Sequence, residues 1–228
     1  MTTWRVLTWN VHGAGRPNLD VITEVLVGFA PDVVALQEVL HSQARGLARR
    51  AGWRAAWTRK HYPYSPLVWW RTEGLALLTG HDLGDMVTAS ITPGVSTWTY
   101  HHRVVMAATV SRGDERLRVA NLHLATQSPD ARIAQAARAV PVIGERRPAV
   151  VAGDLNAVDE AEVVREFGAL DVVDAGGEST SPAIAPKARL DYVLVPSSAH
   201  VTSRLTPLGG EHWHRLSDHL PVLVEFTV

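Results

Sequence analysis

The chain has 228 residues, enough for one domain with a large hydrophobic core and too many for a disulfide-stapled mini-protein. Its 22 Lys and Arg residues against 23 Asp and Glu residues give a formal charge of −1, so composition indicates no overall attraction to nucleic acid or to an anionic membrane. The proportions of 46% apolar and 20% charged residues exclude a disordered or fibrous chain, and the absence of cysteine excludes disulfides, thiolate metal sites and a cysteine nucleophile.

The pattern of apolar residues predicts an α/β fold in one domain that spans residues 1–228. Predicted strands cover residues 4–9, 33–37, 53–58, 74–78, 104–111, 117–124, 149–153, 190–195, 201–205 and 221–228. Predicted helices cover residues 19–29, 42–51, 130–143 and 159–167, and residues 176–188 form a long predicted loop. Helices and strands alternate in both halves while residues 74–124 are rich in strands, which predicts two mixed sheets packed face to face with helices outside them.

The first residues do not indicate an exported protein. They enter a strand-like pattern directly, without the apolar stretch and cleavage site of a signal peptide. No apolar run approaches the ~20 residues that a membrane span requires. We therefore expect a cytoplasmic protein without a membrane span, with a monomer as the default oligomeric state.

Polar residues recur where the predicted strands end, at the positions from which loops leave a sheet. They are Asn10 and His12, Gln37 and Glu38, Asn121 and His123, Asp154 and Asn156, Asp191, and Asp218 and His219. A carboxylate, amide or imidazole beside a buried strand costs several kcal/mol unless it is paired or bound to a metal. One shared polar centre explains these six occurrences better than six unrelated causes do.

The types of these residues favour a hard cation and phosphorus chemistry. Oxygen ligands such as the carboxylates of Glu38 and Asp218 and the amide of Asn10 suit Mg²⁺ or Mn²⁺. The sequence lacks the HExxH zinc motif, the GxxxxGK[ST] phosphate loop and the GxSxG motif of serine hydrolases. A metal, an imidazole with a pKa near neutrality and several carboxylates together favour metal-assisted attack of water on a phosphorus centre.

Seven short motifs follow one another along the chain. They are Trp9-Asn10, Leu36-Gln37-Glu38, Glu73-Gly74-Leu75-Ala76, Asn121-Leu122-His123-Leu124, Gly153-Asp154-Leu155-Asn156-Ala157, Leu190-Asp191-Tyr192 and Ser217-Asp218-His219-Leu220-Pro221. This ordered set resembles the endonuclease/exonuclease/phosphatase superfamily, which has the fold of pancreatic-type deoxyribonuclease. The motifs run from residue 9 to residue 221, so the resemblance covers essentially the whole chain. It implies a four-layer α/β sandwich, with two central mixed β-sheets flanked by helices.

The resemblance also implies a site for a divalent metal, Mg²⁺ or Mn²⁺. Glu38, with Asn10 close by, is expected to hold the metal, and Asp218 is expected on or near the same ligand shell. Arg103 stands where some members carry a phosphate-binding arginine, which is a weaker match. Asn10 is equally suited to an Asx-turn, and Glu73 either supports a catalytic side chain or is a strand-edge carboxylate.

Catalytic roles follow from the same resemblance. His219 is expected to act as the general base or as the imidazolium that faces the phosphate, with Asp191 as the carboxylate that orients it. Asp154 and Asn156 are expected to position the attacking water and to bind a phosphate oxygen, and His123 to contact the scissile phosphate. Asp154 and Asn156 are also typical turn residues, so a purely local role for them stays open.

The near-zero net charge hides an asymmetry between residues 39–72 and the rest of the chain. Residues 39–72 contain seven basic and no acidic residues, so the remainder carries 15 basic and 23 acidic residues. The segment contains Arg45, Arg49, Arg50, Arg54, Arg59, Lys60 and Arg71, and the aromatic residues Trp53, Trp57, Tyr62, Tyr64, Trp69 and Trp70. Basic residues interleaved with aromatic ones favour a phosphate-rich ligand with stackable groups, although a solvated helix face explains those of residues 42–51.

Three functions remain open from the sequence. The leading one is a metal-dependent phosphodiesterase or nuclease that acts on nucleic acid or on a small nucleotide-like diester. The second is a phosphomonoesterase that acts on a sugar, lipid-headgroup or metabolite phosphate. The third is a binding module that kept the fold without catalysis, and the joint presence of Asn10, Glu38, His123, Asp154, Asn156, Asp191 and His219 argues against it.

Overall fold

The computed structural model describes residues 2–62, 66–144, 146, 148–158 and 161–228. The strands in this part of the chain are β1 (Thr3–Asn10), β2 (Val33–Leu40), β3 (Arg54–Arg59), β4 (Glu73–Thr79), β5 (Asp82–Ser90), β6 (Val104–Arg112), β7 (Glu115–His123), β8 (Ala149–Asp154), β9 (Val172–Asp174), β10 (Asp191–Pro196), β11 (His200–Leu205) and β12 (Val222–Thr227). The helices are α1 (Leu19–Gly28), α2 (His41–Ala51), α3 (Pro129–Ile143), α4 (Ala161–Glu166) and α5 (Glu211–His214). Among the described helices, none is both long and apolar enough to cross a membrane.

The strands form two six-stranded mixed sheets. The first sheet has the order β11-β12-β1-β2-β4-β3, and the second has the order β5-β6-β7-β8-β10-β9. Strands β1 and β2 are parallel, and so are β7 and β8, whereas the other neighbours are antiparallel. Parallel strands need a crossover connection, and α1 and α3 supply the two crossovers.

Three apolar layers hold the sandwich together. Between the sheets, Trp4 and Phe226 of the first sheet pack in one buried cluster with Met106 and Val150 of the second. A second cluster joins the outer face of the first sheet to α1 and α2, and a third joins the outer face of the second sheet to α3 and α4. The order of layers is helix, sheet, sheet, helix, which confirms the predicted fold class.

The structure also contains elements that the apolar pattern did not predict. Strands β5 and β9 lie at the edges of the second sheet. Most side chains of β5 are exposed, so no alternation of apolar and polar residues marks it. The helix predicted at 159–167 is represented by α4 and a following 3₁₀ turn, while Asp159 itself, Tyr64 and the side chain of Trp69 lie outside the described residues.

A buried polar link joins the two sheets near the ends of their central strands. Asn121 on β7 donates from Nδ2 to the carbonyl oxygen of Leu36 at 2.9 Å and to that of Ala76 at 2.8 Å, both in the first sheet. Its Oδ1 accepts from Nε2 of Gln37 at 2.8 Å. Both amides are fully buried, so their hydrogen bonds replace those that water would otherwise provide.

We predict that Asn121→Ala lowers the free energy of unfolding by about 3 kcal/mol, because it removes a hydrogen bond from each of two buried carbonyl oxygens and from Gln37, whose amide keeps Thr8 and Ala35 as acceptors. Urea unfolding followed by circular dichroism measures the change. The control Gln127→Ala removes an exposed amide and is expected to cost less than about 0.5 kcal/mol. A small effect at both positions would show that the sheets do not depend on this link.

Candidate active site

The polar residues at the strand ends meet at one edge of the sandwich. Asn10 ends β1 in the first sheet, and Asp154 ends β8 in the second, and these two strands are in contact. Asp191 begins β10 directly opposite Asp154 in the antiparallel register, and His123 ends β7 beside Asp154 in the parallel register. His219 lies just before β12. The topology therefore gathers side chains from both sheets into one place.

His219 is held between two buried carboxylates. Its Nδ1 lies 2.8 Å from Oδ2 of Asp191, and its Nε2 lies 3.9 Å from Oδ2 of Asp154. The backbone of His219 is fixed as well, because its carbonyl accepts from Nε1 of Trp9 at 2.8 Å and its N–H donates to the hydroxyl of Ser217 at 3.1 Å. Hydrogen bonds at the ring and at the main chain of His219 therefore fix the orientation of the imidazole together.

The charges of this group follow from burial and from the closeness of the two carboxylates. Burial alone lowers the pKa of His219, but the charge of Asp191, its hydrogen bond and the charge of Asp154 outweigh burial and raise the pKa to about 10. Burial and the charge of Asp191 raise the pKa of Asp154 to about 7, against the opposing effects of His219 and of Asn10. The arrangement holds an imidazolium beside a carboxyl group that exchanges its proton near neutral pH.

Two amide groups aim the carboxylate of Asp154. Asn10 donates from Nδ2 to Oδ2 at 3.0 Å, and the backbone N–H of Asn156 donates to Oδ1 at 3.0 Å. The turn that places Asn156 is tight, since this residue has a φ of 50°. Just before the turn, a Cβ on Gly153 would lie 2.1 Å from the carbonyl oxygen of Leu122, so the close approach of β8 to β7 requires glycine.

A second cluster lies beside Asp154 and is organised around a buried lysine. The side chain of Lys60 is only 3% exposed, and its Nζ lies 3.4 Å from Oε2 of Glu73, 3.7 Å from Oε1 of Glu38 and 3.5 Å from Nδ1 of His123. Nε2 of His123 lies 3.6 Å from Oδ2 of Asp154, so this imidazole connects the two clusters. A bulge in β2 against β4 gives Glu38 a φ of 53° and turns it toward this group.

Lys60 is the residue of this site that the sequence predictions missed, since they counted it only within the basic segment 39–72. It follows β3 directly, so the rule that identified Asn10 and Asp154, a polar residue at a strand end, also applies to it. Both backbone groups of Lys60 are hydrogen-bonded. The N–H donates to the carbonyl of Glu73 at 2.9 Å, and the carbonyl lies 2.5 Å from Nδ1 of His102.

The second cluster separates the charges of its members. Burial, followed by the charges of Lys60 and Arg103, lowers the pKa of His123 well below its ordinary value and favours a neutral imidazole. Burial raises the pKa of Glu73, but the hydrogen bond from His61 and the charges of Lys60 and His61 outweigh it and lower the pKa. The carboxylate of Glu73 is thereby kept ionised next to the buried ammonium group.

Arg103 and Asp218 differ from the other predicted site residues in their surroundings. The guanidinium of Arg103 is buried and donates to the carbonyl of Leu124 at 3.2 Å and to that of Tyr100, so part of its hydrogen-bonding capacity is used by the backbone. Asp218 is half exposed, and its Oδ1 lies 3.7 Å from Nδ1 of His12. Its charge contributes to the raised pKa of His219, but the structure leaves Asp218 at the rim of the site.

The donor atoms at the centre suit a divalent cation. Ligand atoms of Asp154, Asp191 and His219 all lie within 4.8 Å of one another. Oδ1 of Asp191 is buried and has no hydrogen-bond partner among the described residues, and a bound cation is one way to satisfy such an oxygen. Nδ1 of His219 is already bonded to Asp191, so the carboxylate and amide oxygens are the better donors.

The balance of charges agrees with this chemistry. When Asp154 is ionised, the centre contains one more carboxylate than cationic groups, even with His219 protonated. The carboxylates are Glu38, Glu73, Asp154 and Asp191, and the cations are Lys60, Arg103 and His219. Oxygen donors with excess negative charge are typical of sites for Mg²⁺ or Mn²⁺.

The sequence model of the Endonuclease/Exonuclease/phosphatase family matches residues 7–219, which confirms the resemblance carried by the motifs. No curated protein gives a significant sequence match. By structure, the chain is similar to an endonuclease/exonuclease/phosphatase from Bacteroides vulgatus, with 20% identity, a TM-score of 0.81 and 100% of both chains covered. It is also similar to a mannosyl-6-phosphatase from Bacteroides thetaiotaomicron, with 16% identity, a TM-score of 0.75, and 99% of this chain and 100% of that one covered. A further similar structure is D. rerio TDP2 complexed with a single-strand DNA product, with 20% identity, a TM-score of 0.75 and 100% of both chains covered.

We predict that Lys60→Met lowers the free energy of unfolding by about 2 kcal/mol, because it leaves Glu38 and Glu73 without the ammonium group between them. The loss is below that for a fully buried pair because the carboxylate side chains are 23% and 18% exposed. Urea unfolding at pH 7 measures it. Lys187→Met, at the other, exposed lysine, is the matched control, and equal stability of the two variants would contradict the prediction.

Proposed function

Because the chain belongs to the endonuclease/exonuclease/phosphatase family, we propose that it is a divalent-metal-dependent phosphoester hydrolase that cleaves phosphodiesters. The observation that carries this proposal is the buried imidazole of His219 between Asp191 and Asp154, with Asn10 bonded to Asp154 and with Glu38 connected to the same group through His123. A phosphodiester resists attack by water because of its negative charge, and this centre combines fixed positive charge with a group that accepts a proton.

From the family resemblance we assign the metal, Mg²⁺ or Mn²⁺, to Glu38 and Asn10, and the Asp154, Asp191 and His219 group is the alternative site. When bound, such a cation offsets the charge of the phosphate oxygens and favours the transition state. The Asn10 amide has two tasks in this assignment. Its Nδ2 holds Asp154, while its Oδ1 accepts the backbone N–H of His12 at 3.1 Å and keeps a further lone pair for a cation. Asp218, at the rim, is available to the same ion through its exposed carboxylate.

The remaining side chains position water and phosphate. Asp154 orients the attacking water and takes up its proton, because Asn10 and Asn156 fix both of its oxygens. His219, held as an imidazolium by Asp191, donates a hydrogen bond from its Nε2–H to a phosphate oxygen and stabilises the charge that develops there.

His123, between Lys60 and Asp154, contacts the same phosphate group from the other side. Its ring nitrogens lie 3.5 Å from Nζ of Lys60 and 3.6 Å from Oδ2 of Asp154, so the imidazole lies between the two clusters. Arg103 adds positive charge to this side of the site.

The choice between diester and monoester substrates rests on the surroundings of the centre. The fold itself does not decide, because the similar structures include a mannosyl-6-phosphatase and a protein bound to a DNA product. The basic and aromatic segment 39–72 favours a diester with stackable groups, and a phosphomonoesterase is the alternative. A cytoplasmic location and a monomeric state stay predictions from the sequence.

We predict that Asp154→Asn and His219→Asn each slow the hydrolysis of bis(p-nitrophenyl) phosphate by about 10³-fold in the presence of Mn²⁺, because each removes a group that acts at the reacting phosphate. Release of p-nitrophenolate measures the rate. The exposed controls Asp114→Asn and His200→Asn make the same chemical changes and are expected to keep the wild-type rate.

Two outcomes bear directly on this proposal. Full activity of the wild-type protein in EDTA, or full activity of either site variant, would contradict the mechanism. A parallel assay with p-nitrophenyl phosphate distinguishes the two substrate classes, since a phosphomonoesterase releases phosphate from the monoester and leaves the diester intact.

We predict that Glu38→Gln weakens the binding of Mn²⁺ by at least about 10-fold, because the amide supplies no negative charge to the ion. Isothermal titration calorimetry with MnCl₂ measures the affinity. Glu24→Gln, on the exposed face of α1, is the matched control. Binding that survives in Glu38→Gln but is lost in Asp191→Asn would assign the ion to the Asp154, Asp191 and His219 group instead.

A further inference from the structure

A groove runs between α2 and β3, beside the candidate active site. It consists of two adjoining cavities of about 610 and 320 Å³ that share His41 and Ser42 as lining residues. Strand β3 is the edge strand of the first sheet, so the groove lies on the flank of the sandwich and not in its interior. We refer to it below as the α2–β3 groove.

The inner end of the α2–β3 groove is lined by residues that are next to site residues in the chain. Arg59 and Thr72 line the smaller cavity. Each immediately precedes a site residue in the chain, because Lys60 follows Arg59 and Glu73 follows Thr72. In the site, Nζ of Lys60 lies 3.4 Å from Oε2 of Glu73. The chain segments that line the inner cavity therefore also supply Lys60 and Glu73 to the site.

The groove carries three arginines that are not paired with a carboxylate in the part of the chain that the structure describes. Arg45 and Arg49, one helical turn apart, line the outer cavity, and Arg59 lines the inner one. All three are exposed, and within the described ranges none of them forms an ion pair with a carboxylate. The neighbouring Arg50 and Arg54 do form such pairs, at 2.6 Å with Asp20 and at 2.8 Å with Asp82.

Aromatic rings line the same groove. Trp53 lies in the outer cavity, and Trp57, Tyr62 and Trp70 line the inner one. Trp70 is 57% exposed, so a ligand has access to its ring. The ring of Tyr62 is itself stacked by Trp98, at a centroid distance of 4.5 Å, and the guanidinium of Arg59 lies 3.8 Å from its centroid.

We propose that the α2–β3 groove binds a segment of single-stranded nucleic acid whose neighbouring phosphodiester lies in the candidate active site. The arginines match a row of phosphates, and the tryptophan rings match unpaired bases, which stack on aromatic side chains regardless of their sequence. A duplex is a poorer occupant because its bases already stack on one another. The inference rests on the proposed function for the reaction, but binding in the groove can be measured without turnover.

The first test measures the affinity for a fluorescein-labelled oligothymidylate by fluorescence anisotropy, in EDTA and over a range of salt concentrations. The double variant Arg45→Glu/Arg49→Glu is expected to weaken binding by more than about 10-fold and to reduce the slope of log affinity against log salt by about 1.4. The control Arg138→Glu/Arg165→Glu makes the same charge change on α3 and α4. Equal losses in both double variants would overturn the proposal.

The second test distinguishes the contribution of base stacking to binding from that of the phosphate charges. Trp70→Ala is expected to weaken binding to the oligothymidylate by about 10-fold and to leave unchanged the binding to an abasic strand of the same length. Trp70→Phe is expected to restore most of the affinity, since a phenyl ring still stacks. Wild-type protein that binds the abasic strand, a duplex or anionic phospholipid vesicles as tightly as the oligothymidylate would overturn the assignment to single strands.

The two proposals fail in different ways. If the wild-type protein binds oligothymidylate through Arg45 and Arg49 but hydrolyses no diester with Mn²⁺, the proposed function is wrong and the binding role of the groove is supported. If it hydrolyses bis(p-nitrophenyl) phosphate but its affinity for the oligothymidylate does not depend on these arginines, the proposed binding role of the groove is wrong and the proposed function is supported.

Discussion

The pairing of Asp191 with Asp154 across two antiparallel strands is the constraint from which the rest of the site follows. This register places two almost fully buried carboxylates side by side, an arrangement that costs free energy unless positive charge lies close by. His219 supplies part of that charge through Asp191, and Asn10 and Asn156 supply hydrogen bonds to Asp154. The register of the two strands thus creates a concentration of negative charge, and His219, Asn10 and Asn156 stabilise it.

Much of the fold was predictable because burial leaves a clear mark on the central strands. Continuous apolar runs such as those of β2 and β8 are buried on both faces, and polar residues stand out at their ends. This is why the positions of Glu38, Asp154 and His219 could be inferred. Strand β5 left no such mark because its side chains face solvent at the edge of a sheet, where apolar alternation has no physical cause.

What the sequence did not reveal is mainly a matter of pairing in space. The lysine at position 60 looks like one more member of a basic segment, yet the structure buries it between two carboxylates from β2 and β4. Among its basic neighbours, Arg50 and Arg54 are matched by Asp20 and Asp82, which lie outside residues 39–72. Charge in a sequence window therefore states how many cations are present but not which of them remain available to a ligand.

The hydrogen bonds between Asn121 and the first sheet have a mechanical consequence for the chemistry. Gln37, which they hold, is the neighbour of Glu38, whereas Asp154 lies on the opposite sheet. The spacing between the two sheets is consequently a dimension of the active site. A change of volume in the shared core therefore alters the distance between Glu38 and Asp154, even when it lies many residues away from both. In such a sandwich, the packing of the core helps to set the geometry of the site.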